Sequence, residues 1–400
     1  MSKEKVIVNS SIKDVKSFAQ IIPTRKGIIA QAPATPPART WGVNETAKAL
    51  HPAVQHLSVR RVVQMAPDVK SFVLGPDYSA GTQKLAYFRP GQYIAVTVKI
   101  GNSVVTRPYS IASSPAQSLD DEYIITVKTV PDGFVSRFIN NNWHVGTQVT
   151  ASAPQGNFVF DSLRDSGNIL GIAGGTGITP FISIAQAVAD GTLPCSLTLL
   201  YGCRKLSDAV FKELLDNLAQ KCKKIKVVYV FSDERVPGSE RGFISRSLIA
   251  RFMADEPSIF VCGPSSLYRY VAAELSTMNI ERKRIRFEML GELRDPYAVP
   301  EFPQQAKDKE FCCTVFRNGE IIAEFNCSSD ESLLTALERN GVTARALCRS
   351  GECGFCRSRL KYGNVFIPKS IDKRRIADAE YSYIHPCCSY PVSDVAIEIY

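Results

Sequence analysis

The sequence predicts a multi-domain chain: an antiparallel β-barrel, then an α/β domain on a parallel sheet, then a small α+β domain. Three observations predict it. The chain has 400 residues, more than a single ordinary domain of about 150 residues holds. Short β-rich runs such as "QYIAVTVKI", "EYIITVKTV" and "TQVTASAP" alternate with turn signals up to about residue 160, the rhythm of an antiparallel barrel. Beyond that point, apolar strands are mostly followed by amphipathic helices, as in "GNILGIAGGTGITPFISIAQAVAD" and "SIFVCGPSSLYRYVAAELSTM", which indicates a parallel sheet covered on both faces.

Taken in order, residues 1–54 show no persistent periodicity, and "APATPPAR" within them reads as an extended Pro-rich linker. The barrel is expected over 55–163 and the α/β domain over 164–297. The charged, proline-bearing stretch around 298–309 reads as a second linker. In the last domain, 310–400, "FCCTVFRNGEIIAEFN" predicts a hairpin turning at Asn318-Gly319. "DESLLTALERNG" predicts a capped helix that ends at Gly341.

Composition narrows the class of function. Hydrophobic residues make up 45% and charged residues 22%, as in a globular protein and unlike a disordered one. The N-terminal stretch lacks the apolar core of a signal peptide, and no apolar run reaches the length of a membrane span, so a cytoplasmic protein without a membrane partner is expected. The net charge is +9, yet basic residues are interleaved with acidic ones, as in "ERKRIRFEMLGELRD". That pattern is a solvated mixed surface and argues against nucleic acid, while the excess could steer an acidic protein partner. Twelve cysteines in a reducing compartment should be free thiols or metal ligands.

Cys348, Cys353 and Cys356 follow C-x4-C-x2-C, with Cys387 and Cys388 about thirty residues on. This is the spacing that holds a 2Fe-2S cluster with four thiolates. The loop suits the chemistry: three sulfurs must converge, and Gly351 and Gly354 let backbone amides turn toward an anionic cluster. Structural zinc, the main rival, pairs its ligands as C-x2-C with a second such pair, which is absent. Cys195, Cys203, Cys222, Cys312, Cys313 and Cys327 are read as packing or surface thiols.

Two further stretches carry chemistry. In "RPYSIASSP", Arg107 can neutralise a phosphate, Tyr109 can pack against an isoalloxazine ring and Ser110 can donate toward its N5. In "GFVSRFINNN", Gly133 and Ser136 stand where the free amides of a helix start could hold a phosphate. Either piece alone equally fits an ordinary strand and turn. "GIAGGTGITP" follows the first strand of the α/β domain, and Gly174, Gly175 and Gly177 would let a dinucleotide approach the backbone. It is not G-x-G-x-x-G. Cys262 in "VCGP" reads alone as a small buried hydrophobe.

These motifs, in this order, resemble the ferredoxin-NADP reductase superfamily over residues 55–295, and "CRSGECGFCRSRL" with "HPCCSYPVSDVAIEI" resembles the plant-type ferredoxin family over 310–400. The resemblance implies a β-grasp ferredoxin domain whose fourth ligand is Cys387, four residues before Pro391, leaving Cys388 as a neighbour. It implies a flavin held by Arg107, Pro108, Tyr109, Ser110, Gly133, Val135 and Ser136. It implies a pyridine nucleotide held by Gly174, Gly175, Thr176, Gly177, Cys262, Gly263 and Pro264, with Ser110 and Cys262 at the reacting atoms. NADP-dependent relatives carry Ser-Arg where this chain has Ser232-Asp233. Asp233 would repel a 2'-phosphate and accept from a free 2'-hydroxyl, which favours NADH, while Arg204 or Arg235 could still serve NADPH.

The order of the three modules resembles the reductase components of ring-hydroxylating and demethylating oxygenases. A reductase of that architecture uses FMN, but "GFVSRFINNN" resembles the FAD-binding relatives, so FAD is the first choice and FMN the alternative. Two departures stand out: residues 1–54 have no counterpart, and a ferredoxin domain replaces the terminal aromatic that covers the flavin in plant-type reductases. A hydride carries two electrons and the cluster takes one, so a flavin between them completes an NADH:acceptor oxidoreductase. The acceptor is a one-electron protein: a terminal oxygenase, or else an anaerobic redox or corrinoid enzyme. A non-catalytic redox sensor and a flavin reductase that releases its product are the rivals from other classes.

Overall fold

The structure, a computed structural model, describes residues 11–32, 41–131, 133–288, 291–293 and 295–400. The chain divides into two compact units, 1–48 and 49–400. The first contains the helix α1 (Ile12–Gln31), where no regular element was expected. Ser11 and Asp14 form a reciprocal capping box that satisfies its first amides, and Pro23 and Gly27, helix breakers by propensity, masked its periodicity in the sequence. All its residues are exposed. A second helix, α2 (Gly42–Leu50), follows, and the Pro-rich segment 33–40 lies outside the described residues.

The second unit opens with β1 (Val54–Ala66), β2 (Val69–Pro76), β3 (Tyr93–Ile100), β4 (Ser103–Ser110), β5 (Tyr123–Lys128) and β6 (Gln148–Ser152). They form an antiparallel sheet in the order β4-β3-β6-β1-β2-β5. The sheet closes on itself just past its edge: Ile111 bridges Ile125, and the Ala112 amide donates to the Ile124 carbonyl at 2.7 Å. Alternate residues point inward, and Leu57, Phe72, Ile94, Val96 and Tyr123 fill the barrel. The short helix α3 (Pro115–Leu119) and the helix α4 (Phe134–Asn142) attach to it, α4 through Val135 and Ile139.

The nucleotide-type domain is a parallel sheet of β7 (Asn168–Gly174), β8 (Ser196–Cys203), β9 (Ile225–Phe231), β10 (Glu240–Arg241), β11 (Ser258–Cys262) and β12 (Ile285–Glu288), in the order β10-β9-β8-β7-β11-β12. Helices α5 (Thr179–Ala189), α6 (Lys212–Lys221), α7 (Arg246–Ala250) and α8 (Ser265–Ser276) accompany it, and a separate apolar core lies on each face. The order reverses beside β7, so the loops after β7 and β11 open a crevice where such sheets bind ligands.

The last domain is a mixed sheet of β13 (Glu310–Arg317), β14 (Glu320–Ser328), β15 (Ser358–Tyr362), β17 (Tyr383–Ile384) and β19 (Val395–Glu398), with a small pair β16 (Val365–Phe366) and β18 (Tyr390–Pro391). The hairpin turns at Asn318 and Gly319, both left-handed. The helix α9 (Leu333–Arg339), capped by Ser332, buries Leu333, Ala336 and Leu337 in the grasp of the sheet. The short α10 (Ile376–Glu380) flanks β17. Residues 298–309 are not a free linker: Phe302 and Ala306 are buried against Phe366 and Tyr390, because their apolar side chains find a hollow on the ferredoxin side.

Arg286 on β12 ties the two larger domains together. It is buried, stacks over Phe260, donates to both carboxylate oxygens of Asp165 at 2.5 and 2.6 Å, and also donates to the Val159 carbonyl. Removing one partner of a buried bidentate pair strands the other charge, at a cost of about 3–5 kcal/mol. Arg286→Ala should therefore lower the unfolding free energy from urea denaturation of the nucleotide-domain transition by that amount, seen as a lower midpoint; a midpoint within error of the parent would show that the pair is not structural.

Candidate active site and cluster loop

Four sulfurs meet beneath the loop 348–356 and the turn Pro386–Cys388. Cys356 Sγ lies 3.4 Å from Cys387 Sγ, and Cys348 interacts with both Cys353 and Cys387. Backbone amides point at them: Ser350 and Cys353 donate to Cys348 Sγ at 3.5 and 3.4 Å, Gly351 to Cys387 Sγ at 3.3 Å, and Phe355 to Cys353 Sγ at 3.4 Å. The loop makes these approaches through left-handed residues, Arg349 at φ 58°, Gly351 at 78° and Gly354 at 68°. A Cβ on Gly351 would stand 2.5 Å from the Ile371 carbonyl oxygen and 2.9 Å from Cys388 Sγ, so glycine is required there. Cys388 turns away and donates to the His385 carbonyl at 3.4 Å. An all-thiol set with amides aimed at the sulfurs fits a 2Fe-2S cluster. Cys353 is exposed and the other three are buried.

The barrel presents Arg107, Pro108, Tyr109 and Ser110 at the end of β4, paired in register with Val96, Ala95, Ile94 and Tyr93 on β3. Next to them, α4 starts at Gly133 without a side-chain cap, so its first amides are offered to the loop side. Ser136 accepts from the Val130 amide at 3.1 Å, and a Cβ on Gly133 would come 2.5 Å from Ser136 Oγ; the turn tolerates only hydrogen there. Val135 shares the barrel core with Tyr109. The structure engages Arg107 in an additional way: its Nη1 donates to Glu338 Oε2 at 3.2 Å, across to α9 of the ferredoxin domain.

In the nucleotide domain, Ala173 on β7 pairs with Cys262 on β11, so Gly174, Gly175, Thr176 and Gly177 lie beside Cys262, Gly263 and Pro264. The fit is close: a Cβ on Gly177 would run into the Cys262 carbonyl, and one on Gly263 would approach Leu267 Cδ2 to 2.5 Å. Gly175 is left-handed at φ 53°. Gln186 on α5 donates to the Ala112 carbonyl at 2.9 Å, which joins the helix after the glycine turn to the strand that leaves the barrel motif. Asp233 and Arg204 meet past the ends of β9 and β8, with Arg204 Nε 3.1 Å from Asp233 Oδ2 and Ser232 donating to Oδ1 at 2.6 Å. The Ser232 hydroxyl, then the Arg204 guanidinium, hold the Asp233 carboxyl below its usual pKa.

The sequence reading missed several residues that join these pieces. Tyr93 and Ala95 form a small buried cluster with Cys348, so the loop of the predicted cluster ligands sits directly on the strand that partners the RPYS motif. Just after β12, Gly291 donates to the Cys348 carbonyl at 3.1 Å, and the Leu293 carbonyl accepts from the Tyr390 hydroxyl at 2.6 Å. Glu288, at the end of β12, pairs in register with Cys262. It is 4% exposed, and its Oε1 has no hydrogen-bond partner among the described residues. The Tyr268 hydroxyl links the two turns, accepting from the Gly263 amide at 3.1 Å and donating to the Glu288 carbonyl. Only long-range contacts reveal these roles.

Burial, and then the nearby Glu352 carboxylate and Cys348, push the Glu288 carboxyl well above its usual 4.5. Both folded and unfolded forms are protonated below 4.5. As the pH rises further, only the unfolded state releases the proton, so stability falls until the folded pKa is passed. Glu288→Gln removes that titration. The thermal midpoint of the variant relative to the parent should climb steadily between pH 4.5 and 7; a constant difference would show that Glu288 titrates normally.

Comparison with known proteins gives the same three-part division. The family described as oxidoreductase FAD-binding domain matches residues 56–160, oxidoreductase NAD-binding domain matches 172–273, and 2Fe-2S iron-sulfur cluster binding domain matches 315–392. The chain is 30% identical over 348 residues to the ferredoxin reductase component of 3-ketosteroid-9-alpha-monooxygenase from Mycolicibacterium smegmatis, covering 85% of this chain and 95% of that one. It is 28% identical over 357 residues to the glycine betaine monooxygenase reductase subunit of Chromohalobacter salexigens, covering 84% and 93%. Among solved structures it matches phthalate dioxygenase reductase with a TM-score of 0.62 at 22% identity, over 86% of this chain and 98% of that one.

Proposed function

The chain belongs to the family of oxygenase reductase components that join FAD-binding, NAD-binding and 2Fe-2S domains in one polypeptide, and from that premise we propose that it carries electrons from NADH to the oxygenase component of a multicomponent oxygenase. The observation that carries this reading is the packing of Cys348 against Tyr93 and Ala95, the strand partners of Ser110 and Pro108. It leaves no room for a separate carrier between the flavin motif and the cluster loop. When bound, FAD accepts hydride and releases electrons singly, and the cluster carries them one at a time.

In this reading Cys348, Cys353, Cys356 and Cys387 ligate the cluster. Arg107, Gly133, Val135 and Ser136 hold the flavin phosphates, Pro108 and Tyr109 line its ring, and the Ser110 hydroxyl donates to the reacting edge. The start of α4 favours FAD over FMN. The backbone of Gly174, Gly175, Thr176 and Gly177 takes the dinucleotide pyrophosphate, and Cys262, Gly263 and Pro264 seat the nicotinamide. Burial, then Glu288, lift the Cys262 thiol far above its usual pKa, so it fills the site as a neutral group and excludes water without adding charge.

Asp233 keeps a full negative charge where the ribose 2'-position would lie, and Arg204 is tied to it; both features favour NADH over NADPH. The acceptor is a protein, with no nucleic acid or membrane involved, and the free cysteines suit the cytoplasm. No helix among the described residues is long and apolar enough to cross a membrane.

Two measurements test this reading. NADH should bleach the flavin and support cytochrome c reduction, and Cys387→Ser should abolish cytochrome c reduction while ferricyanide, which can take electrons from the flavin directly, is still reduced; equal loss with both acceptors would remove the cluster from the route. Asp233→Ser should cut the NADH-over-NADPH ratio of kcat/KM by about 10- to 100-fold, the worth of one charge-assisted hydrogen bond. An unchanged ratio would assign the selection elsewhere.

A further inference from the structure

Arg349 is the largest fully buried side chain at the junction of the three domains, 1% exposed and next to Cys348 in sequence. Its left-handed backbone turns the side chain away from the cysteine loop, and its guanidinium reaches three segments. Nη1 donates to Glu338 Oε1 at 2.5 Å and to the Thr106 carbonyl on β4 at 3.3 Å, while Nη2 pairs with Glu292 and lies 3.3 Å from Thr335 Oγ1. Thr335 in turn donates to Glu292 Oε2 at 2.6 Å. The second oxygen of Glu338 accepts from Arg107 at 3.2 Å.

The group contains two guanidiniums and two carboxylates, and each carboxylate oxygen named has a partner. Glu338 is the only member that bonds both cations. One of those cations, Arg107, stands in the flavin motif, and the other, Arg349, stands in the cluster loop. The contact of Cys348 with Tyr93 and Ala95 is small and apolar; by itself it would fix neither the distance nor the orientation of the ferredoxin domain. One directional charge-assisted bond on each side of one carboxylate does both.

We propose that Glu338 is a positioning residue for electron transfer, a shared carboxylate that latches the ferredoxin domain to the flavin strand through Arg107 and Arg349. The inference rests on the proposed route from flavin to cluster. It adds that the cluster step depends on this latch, whereas hydride transfer does not, because the bonds of Glu338 run to Arg107 and Arg349 and to neither the Gly174–Gly177 turn nor the Cys262–Pro264 turn.

The test uses the full-length protein with both cofactors bound and the variant Glu338→Gln, which keeps the shape and loses the charge. After anaerobic mixing with NADH, flavin bleaching should keep its parental rate while cluster bleaching slows about tenfold or more, as expected for a misplaced donor and acceptor. Trypsin should also cleave faster after the exposed Lys307 or Lys309, because an unlatched domain strains the strap that connects it. Cluster bleaching at the parental rate, equal slowing of both steps, or slowing without faster cleavage would each overturn the latch. Should Glu338→Gln lose its cluster, Glu338→Asp, which keeps the charge, carries the same two measurements. If NADH fails to bleach the parent flavin, the proposed function fails, and the cleavage comparison still decides the latch.

Discussion

The path an electron must travel is limited by how closely the cysteine loop can approach the strand that carries the flavin motif. In this chain Cys348 packs against Tyr93 and Ala95 on β3, and those residues pair with Ser110 and Pro108 on β4. This contact can exist only if several other conditions hold. The loop must turn through left-handed backbone at Arg349, Gly351 and Gly354, the chain leaving β12 must run back along the loop so that Gly291 can bond Cys348, and α9 must lie against β4. The three domains therefore share one junction, and the residues that fix the junction belong to all three.

The junction is built from opposed electrostatic solutions. At Arg286 a buried cation donates from Nη2 to both oxygens of Asp165 and is backed by an aromatic face, while burial still raises the Asp165 pKa. Around Arg349 the same end is reached with two cations and two carboxylates spread over four segments. Such arrangements gain little over apolar packing in stability, and their bonds to α9, β4 and the segment after β12 are directional. For a protein whose domains must hold donor and acceptor in place, that directionality is the property that matters.

The chemistry-bearing stretches were legible in the sequence because each is local. C-x4-C-x2-C brings three sulfurs together with nothing but its own loop, and a glycine turn after an apolar strand needs only the strand and the helix that follow. The fold class was legible for the same reason, since periodicity is a property of single elements. What could not be read was pairing across domains. Arg349 meets Thr106 across 243 positions, and Glu338 was visible only as one residue of a capped helix. The helix at Ile12–Gln31 was hidden differently: Pro23 and Gly27 speak against a helix locally, while the capping box at Ser11 and Asp14 that marks its start was not read as one. The stretch 298–309 was read from its polar composition, which says nothing about the two residues, Phe302 and Ala306, that anchor it.

Glu288 is a second incompletely partnered buried group on β12, beside Arg286, whose Nε also lacks a hydrogen-bond partner among the described residues. It lies between the Cys262 turn, the Tyr93 strand and the cysteine loop, and one of its oxygens has no partner among the described residues. A buried acceptor without a donor is rare and costly, and no hydrogen bond among the described residues calls for the Glu288 Oε1 atom. Burial raises its pKa, as burial raises that of the neighbouring Cys262 thiol. The two arginines near Glu338 are balanced by two carboxylates, and Arg286 is balanced by Asp165. The junction therefore carries almost no net buried charge of its own, so the negative charge brought by a dinucleotide, a flavin phosphate and a thiolate cluster enters a region not already committed to either sign.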